Sequence, residues 1–201
     1  MVTSISFDKS DTGVANLALT YIGDKNIKVL TEEGREAKVL RRFYTQARDL
    51  LLETKPWTWP GSIETLAAVE NDWPERWGYK YTYGSDWLKF IGIIKPGADP
   101  RFDRDPIKFQ IFGRAVYTDM AEARAMVVLN QTDVQTWPAY FIEALAADLA
   151  HRAVMPLTKN VKLEERVAKQ KEAVFATALA ADANQDSTPP DYTPASIEAR
   201  A

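Results

Sequence analysis

The side chains that could perform chemistry are few in this 201-residue chain. The one histidine, His151, lies in a helical pattern between Ala150 and Arg152, where a histidine is far more often a structural helix residue than a catalytic base. The chain has no cysteine, and therefore no thiol nucleophile, thiolate metal site or disulfide. The G-x-S-x-G, H-E-x-x-H and phosphate-loop motifs are all absent. Nothing in these residues requires an active site.

Acidic residues form two groups that could in principle act as a site. Asp99, Asp103 and Asp105 are the most metal-like, but Arg101 and Arg104 neutralise them and the glycine and distal glutamate of a calcium loop are missing. A solvated loop is therefore expected, with no metal and no cofactor. The second group could serve glycoside hydrolysis, which uses two carboxylates whose separation depends on tertiary structure. The carboxylates nearest the aromatic residues are Glu64, Glu70, Asp72 and Asp86.

One predicted helix carries a group of cations that could contact DNA. A protein that grips phosphates needs a concentrated basic face, whereas this chain has a formal charge of -3 and a pI of about 5.3. We therefore expect a solvated helix face first and a DNA or partner surface second. The cations are Arg35, Lys38, Arg41, Arg42 and Arg48.

Two helices are predicted in the N-terminal part. The first spans about residues 12–22 and ends at Gly23, which can adopt the left-handed conformation of a helix C-terminus. The second spans about 32–54, with Thr31 as its N-cap and Pro56 after its end. Its apolar stripe consists of Ala37, Leu40, Tyr44, Ala47 and Leu51.

The middle of the chain changes to the two-residue periodicity of strands. Strands are predicted at 79–83, 87–94, 108–112, 115–117 and 125–129, with a hairpin turn at Gly113-Arg114. Helices return at about 134–155, which Pro156 should close, and at 160–182, and the two should form an antiparallel hairpin. After Asp182 the chain is polar and proline-rich, as in a segment that orders only on a partner.

The expected fold class is α+β, mainly α: an antiparallel helical bundle with an inserted small antiparallel β domain and an extended C-terminal tail. The predicted divisions are N-terminal bundle helices in 1–60, the β-rich insertion in 61–132, a C-terminal helical hairpin in 133–182, and the tail in 183–201. The six tryptophans, Trp57, Trp59, Trp73, Trp77, Trp87 and Trp137, are expected mainly in the core, with a minority at subunit contacts.

The order of short segments over residues 14–182 resembles the head-to-tail adaptors of podoviruses, the tail tubular protein A family. Each segment alone is weak, and the shared order and spacing carry the resemblance. Ser85 and Trp59-Pro60-Gly61 depart from the family pattern and affect local turns. The matching segments are Ala15 to Leu19 with Ile22-Gly23, a helix start near Glu33, Arg48 to Leu52, Lys55-Pro56-Trp57, Leu66-Ala67, Tyr79 to Tyr83, Asp86-Trp87-Leu88, Phe141 to Ala146 and Leu149-Ala150.

The resemblance implies a bacteriophage virion structural protein rather than an enzyme. About twelve copies would form a homo-oligomeric ring between the portal protein and the tail nozzle or tail tube, lining the channel through which DNA passes without specific binding. The expected location is the head–tail junction of the virion, after assembly in the host cytoplasm. The sequence shows no signal peptide and no apolar run of roughly 18 residues, so no membrane partner is expected.

The resemblance and the residue pattern together nominate contact residues. The tail would dock on the portal through Pro189, Pro190, Tyr192 and Pro194, and Val39, Phe43, Leu50 and Trp137 are the candidates for subunit interfaces. Two alternatives stay open. One is a tail-associated hydrolase of envelope polysaccharide or peptidoglycan that uses the carboxylates near the aromatic residues. The other is a DNA-binding helical protein.

Overall fold

The computed structural model describes residues 8–55, 57–97 and 107–186. The tail residues proposed for docking and the Asp99, Asp103 and Asp105 cluster lie outside these ranges. The helices are α1 (Asp11–Ile22), α2 (Arg35–Thr54), α3 (Ala139–Thr158) and α4 (Val161–Ala183). The strands are β1 (Gly61–Thr65), β2 (Ala68–Val69), β3 (Tyr79–Thr82), β4 (Trp87–Ile94), β5 (Phe109–Phe112), β6 (Ala115–Thr118) and β7 (Arg124–Leu129).

Helix α3 is the centre of the helical layer. Twelve of its 20 residues are buried, and they surround most of the helix instead of forming one stripe. Such a helix needs apolar neighbours on several sides. Helices α1, α2 and α4 supply them, since each packs on α3, whereas α2 and α4 make no substantial contact with each other within the described residues.

The strands form two antiparallel sheets that pack face to face. The inner sheet has the order β1-β7-β4 and the outer sheet the order β2-β3-β6-β5. Tyr81 and Val116 of the outer sheet share a buried cluster with Phe90, Ile93 and Val127 of the inner sheet. This cluster is a second core, separate from the helical one.

The predicted fold, a helical bundle with one small inserted β domain, is wrong. The four helices are not arranged as a bundle, and the β-rich region forms two sheets. Val128 of the inner sheet belongs to the helical core, and Trp59 and Leu88 pack against that core. Because adjacent β7 residues point to opposite faces, Val127 enters the sheet–sheet core while Val128 enters the helical core. A mixed α+β protein is the part of the prediction that agrees with the structure.

Several local predictions are confirmed. Gly23 has φ of 72° and ends α1, with its N–H donating to the carbonyl of Thr20. Gly113 has φ of 61° in the two-residue turn between β5 and β6, which pair Phe112 with Ala115. In both places the left-handed conformation strains any residue that carries a Cβ.

Two predicted helix boundaries are wrong. Thr31 does not cap α2, because α2 begins only at Arg35 and Gly34 is its N-cap. The turn before the helix is held by the Glu32 carboxylate, which accepts hydrogen bonds from the N–H groups of Lys28 and Val29. Pro156 lies inside the last turn of α3, which continues to Thr158. A proline near a helix end removes only one N–H donor, and the free carbonyls there can accept from other groups.

Replacing a side chain at the centre of the helical layer should destabilise the protein strongly. Leu145 is fully buried on α3, so Leu145→Ala removes apolar contacts and leaves a cavity. The expected loss in the free energy of unfolding is about 2–5 kcal/mol. Met155→Ala on the exposed side of the same helix is the matched control, with an expected change within about 0.5 kcal/mol. Urea unfolding followed by tryptophan fluorescence measures both; equal effects would contradict the central position of α3.

Candidate functional site

The outer side of α2 carries a second apolar stripe, away from the buried one. Val39, Phe43 and Leu50 occur at positions i, i+4 and i+11, with Gln46 at i+7, so all four share one face of the helix. Leu50 is 43% exposed, while Val39 and Phe43 are half-buried against the edge of the helical core. These four residues are called the α2 outer stripe below. Three of the four predicted interface residues therefore lie together on one helix face.

The fourth predicted interface residue, Trp137, lies elsewhere. Its side chain is 0% exposed and packs edge-on against Phe141, with ring centroids 5.3 Å apart. Its indole N–H donates a hydrogen bond of 3.1 Å to the carbonyl of Gln131. Trp137 is thus part of the helical core and offers no surface to a second copy in this conformation.

The cations of α2 are mostly engaged within the chain. Arg35 donates to the carbonyls of Pro156 and Leu157, at 2.5 and 2.9 Å, and thereby completes the C-terminus of α3. The other partnerships are Lys38 with Glu33 at 2.6 Å, Arg41 with the carbonyl of Leu30 at 3.3 Å, and Arg48 with Asp49 at 2.7 Å. Arg42 is exposed, and no partner for it occurs among the described residues. This leaves little free positive charge for a DNA phosphate backbone.

The four candidate hydrolytic carboxylates are not collected in one cleft. Glu64 lies on β1, where it accepts a hydrogen bond of 2.6 Å from the Ser62 hydroxyl. Glu70 and Asp86 are exposed. Asp72 alone lines a cleft of about 400 Å³ on the solvent-facing side of the outer sheet, together with Trp73, Gln110, Phe112 and Tyr117.

Asp72 is held in its ionised form. Its carboxylate accepts hydrogen bonds of 2.8 Å from the ammonium of Lys80 and from the hydroxyl of Tyr117. The Lys80 bond is the main cause that lowers the pKa of Asp72, and the Tyr117 bond adds to it. A general acid in glycoside hydrolysis needs a raised pKa and a second carboxylate opposite it. The cleft provides neither within the described residues.

The single histidine and its neighbours tie α3 to α4. His151 Nε2 lies 3.3 Å from Glu164. One turn away, the nearly buried carboxylate of Asp148 lies 2.6 Å from Arg152 and 3.2 Å from Lys171. The contacts with Glu164 and Lys171 cross the antiparallel hairpin and orient the two helices, whereas the Asp148–Arg152 contact lies within α3; all three have a structural role.

Asp182 fixes the end of α4 to two other parts of the helical layer. Its carboxylate is 1% exposed and accepts hydrogen bonds from the Thr58 backbone N–H at 2.8 Å and from the Tyr140 hydroxyl at 2.6 Å. The Tyr140 ring also stacks on Trp57, with centroids 5.9 Å apart. Asp182 therefore fixes the chain four residues before the last described residue, Asp186. No sequence pattern marks Asp182, because its partners are distant along the chain.

A mainly apolar groove of about 350 Å³ runs between α3 and α4. Glu143 stands at its edge and accepts a hydrogen bond of 2.5 Å from the Tyr21 hydroxyl. No cation pairs with this carboxylate among the described residues. The groove is lined by Tyr140, Glu143, Gln170, Ala173, Val174, Thr177 and Ala178. It is called the α3/α4 groove below.

Other site types find no support in the described ranges. No group of three or more histidine or acidic residues there is placed to hold a metal ion. None of the described helices combines the length and apolar character needed to cross a membrane. In comparisons with known proteins, no family model and no curated protein matches the chain.

Removing the Asp182 carboxylate should loosen the end of α4. Asp182→Ala leaves the partly buried Thr58 N–H and Tyr140 hydroxyl without an acceptor, and the expected loss of stability is about 1–3 kcal/mol. Asp182→Asn keeps one acceptor oxygen and should cost less than Asp182→Ala. Chemical denaturation gives both values. If the exposed-site control Gln185→Ala costs as much as Asp182→Ala, the proposed anchoring role is wrong.

Alkaline pH should weaken the same contact. Burial, and then the hydrogen bond to Asp182, raise the pKa of Tyr140 above its ordinary value of about 10. A group whose pKa is higher in the folded state stabilises the fold below its unfolded pKa, and this contribution is lost as pH rises above it. The wild-type urea midpoint should therefore fall more steeply above about pH 10 than that of Tyr140→Phe. Parallel curves for the two proteins would contradict this assignment.

Proposed function

We propose that this protein is a structural subunit of a bacteriophage head-to-tail adaptor, which assembles as a ring between the portal and the tail nozzle. The observation that carries the proposal is the resemblance of short segments along residues 14–182, in their order and spacing, to this adaptor family. Several of these segments lie in the helical core of the chain. Ala15, Leu19, Leu51, Phe141 and Leu145 are all buried there, so the matching residues are those that a shared fold has to retain.

The distribution of exposed apolar surface supports this proposal. In a closed ring, each subunit contacts its neighbours through two different faces. The α2 outer stripe and the α3/α4 groove are two such faces on separate helices. Leu50 on the stripe is 43% exposed, Val39 and Phe43 are partly exposed, and the lining of the groove is mainly apolar, so both faces offer some apolar surface to a partner.

The attachment of the end of α4 also supports the proposal. Asp182 attaches the end of α4 to Thr58 and Tyr140, close to the point where the tail begins. The tail, residues 183–201, is therefore proposed to dock on the portal through Pro189, Pro190, Tyr192 and Pro194.

The two alternatives have weaker support. The hydrolase hypothesis needs two carboxylates across one cleft. Among the described residues, Asp72 is the only carboxylate that lines the cleft beside the aromatic residues, and it is ion-paired with Lys80. The DNA-binding hypothesis needs free cations, and Arg42 is the only one of the five α2 cations without a partner among the described residues. A structural role agrees better with both observations.

The tail assignment is testable with portal protein from the same genome. Replacing Pro189, Pro190, Tyr192 and Pro194 by serine keeps the length of the tail and leaves the described fold untouched. The expected result is loss of co-sedimentation with the portal, by at least tenfold in apparent affinity, with an unchanged urea midpoint. The matched control substitutes four other tail positions, Ser187, Thr188, Ser196 and Glu198, by alanine. Full docking by the serine variant would contradict the role of these residues.

A further inference from the structure

We infer that the α2 outer stripe of one copy docks in the α3/α4 groove of the next copy. This inference rests on the proposed ring and names the contact that builds it. Its two halves are the residues Val39, Phe43, Gln46 and Leu50 on one side and the groove between α3 and α4 on the other. The occupant is a second copy of this chain.

The spacing of the α2 outer stripe is that of a helix which lies in a groove. Helices that bind in apolar grooves present anchors at i, i+3 or i+4, and i+7. The stripe follows this spacing over three turns, with apolar anchors at positions 39, 43 and 50 and the polar Gln46 between the last two. At about 100° per residue, it lies roughly a third of a turn from the buried stripe of Ala37, Leu40 and Tyr44. The same helix can therefore contact its own core and a neighbour simultaneously.

The groove suits a helix in size and composition. Ala173, Thr177 and Ala178 are small, so a third helix can approach α3 and α4 closely, at the usual interaxial distance of about 8–10 Å. Val174 and the ring of Tyr140 add apolar surface for side chains such as Phe43 and Leu50. The lining residues of α4 run from Gln170 to Ala178, about 12 Å at 1.5 Å per residue, which is room for about two turns of a docked helix.

Charge favours the same pairing. Arg42 is adjacent to the stripe and is the one cation of α2 that lacks a partner among the described residues. Glu143 lines the groove, and within the described part of the chain its carboxylate is bonded only by the neutral Tyr21 hydroxyl. Bringing Arg42 of one copy near Glu143 of the next pairs two otherwise uncompensated charges at the rim, where such pairs contribute mainly to register and specificity.

The arrangement of the helices makes the contact heterologous. Helices α2 and α4 pack on separate sides of α3 and share no substantial contact, so one chain cannot fill its own groove with its own stripe. A contact between two different faces leaves each copy with one free stripe and one free groove, and repetition closes a ring when the rotation allows it. A two-fold symmetric contact would stop at a dimer instead.

The test uses two variants that each remove one half of the contact. Leu50→Asp places a charge on the stripe, and Ala173→Arg fills the groove; both sites are exposed, so the fold should be retained. At the concentration where the unmodified chain assembles, with the portal present if assembly requires it, each variant alone should lose at least tenfold in assembly. Val161→Asp, at an exposed apolar site outside both surfaces, is the control and should assemble normally.

A one-to-one mixture of the two variants gives the decisive result. The intact stripe of Ala173→Arg can enter the intact groove of Leu50→Asp, so the mixture should form pairs of two copies and no larger species in sedimentation velocity. If the unmodified chain assembles and both variants assemble equally well, this contact is wrong while the ring proposal stands. If the unmodified chain forms no ring even with the portal, the proposed function itself fails.

Cysteine trapping gives an independent readout, because the chain contains no cysteine of its own. A double variant with Phe43→Cys and Thr177→Cys, or Phe43→Cys and Ala173→Cys to cover a shift of one helical turn, should form covalent ladders when diamide oxidises the paired thiols. A disulfide requires Cα atoms within about 7 Å, so ladders report a direct contact. Dimers formed by Phe43→Cys alone would indicate a two-fold contact and overturn the inference.

Discussion

The structure depends on the burial of α3 on most of its sides. A helix with apolar residues around most of its circumference is stable only when several neighbours cover it. The alanines at positions 144, 146, 147 and 150 let those neighbours approach closely, and Leu145 and Leu149 fill the space between them. This requirement places α1, α2 and α4 around α3 and brings the inner sheet, through Val128, against the same core.

Two consequences follow from that arrangement. First, α2 and α4 occupy separate sides of α3, so each keeps a partly exposed face, and these faces differ: one is a stripe and the other lines a groove. Second, the end of α4 is fixed to the α2–β1 connection by Asp182, which gives the C-terminal segment a defined origin. The proposed ring would use the α2 outer stripe and the α3/α4 groove for contacts between copies, and the segment after Asp182 for contact with the portal.

The sequence predicted those elements whose signals are local. The stripe of α2, the end of α1 at Gly23 and the hairpin at Gly113 depend on neighbouring residues, and all three occur in the structure. Helix boundaries were less predictable where distant groups intervene. The carbonyls at the end of α3 accept from Arg35, over 120 positions away, and Pro156 does not end that helix.

The division of the strands into two sheets depends on pairings between residues far apart in the chain, such as β1 with β7, which periodicity does not reveal. Because periodicity does not show these pairings, the sequence predicts a helical bundle with one inserted β domain, which is wrong. The candidate surfaces were partly predictable: Val39, Phe43 and Leu50 could be placed on one helix face from spacing alone. Trp137 could not be distinguished from an interface residue, because its burial arises from Phe141 and the surrounding helices. Asp182 and the α3/α4 groove required the tertiary structure.

The most direct measurement is electron imaging of the purified protein combined with the portal protein of the same genome. The account predicts a ring of many copies at one pole of the portal, with α2 of each copy next to α3 and α4 of its neighbour. A protein that remains monomeric and does not bind the portal would contradict the account.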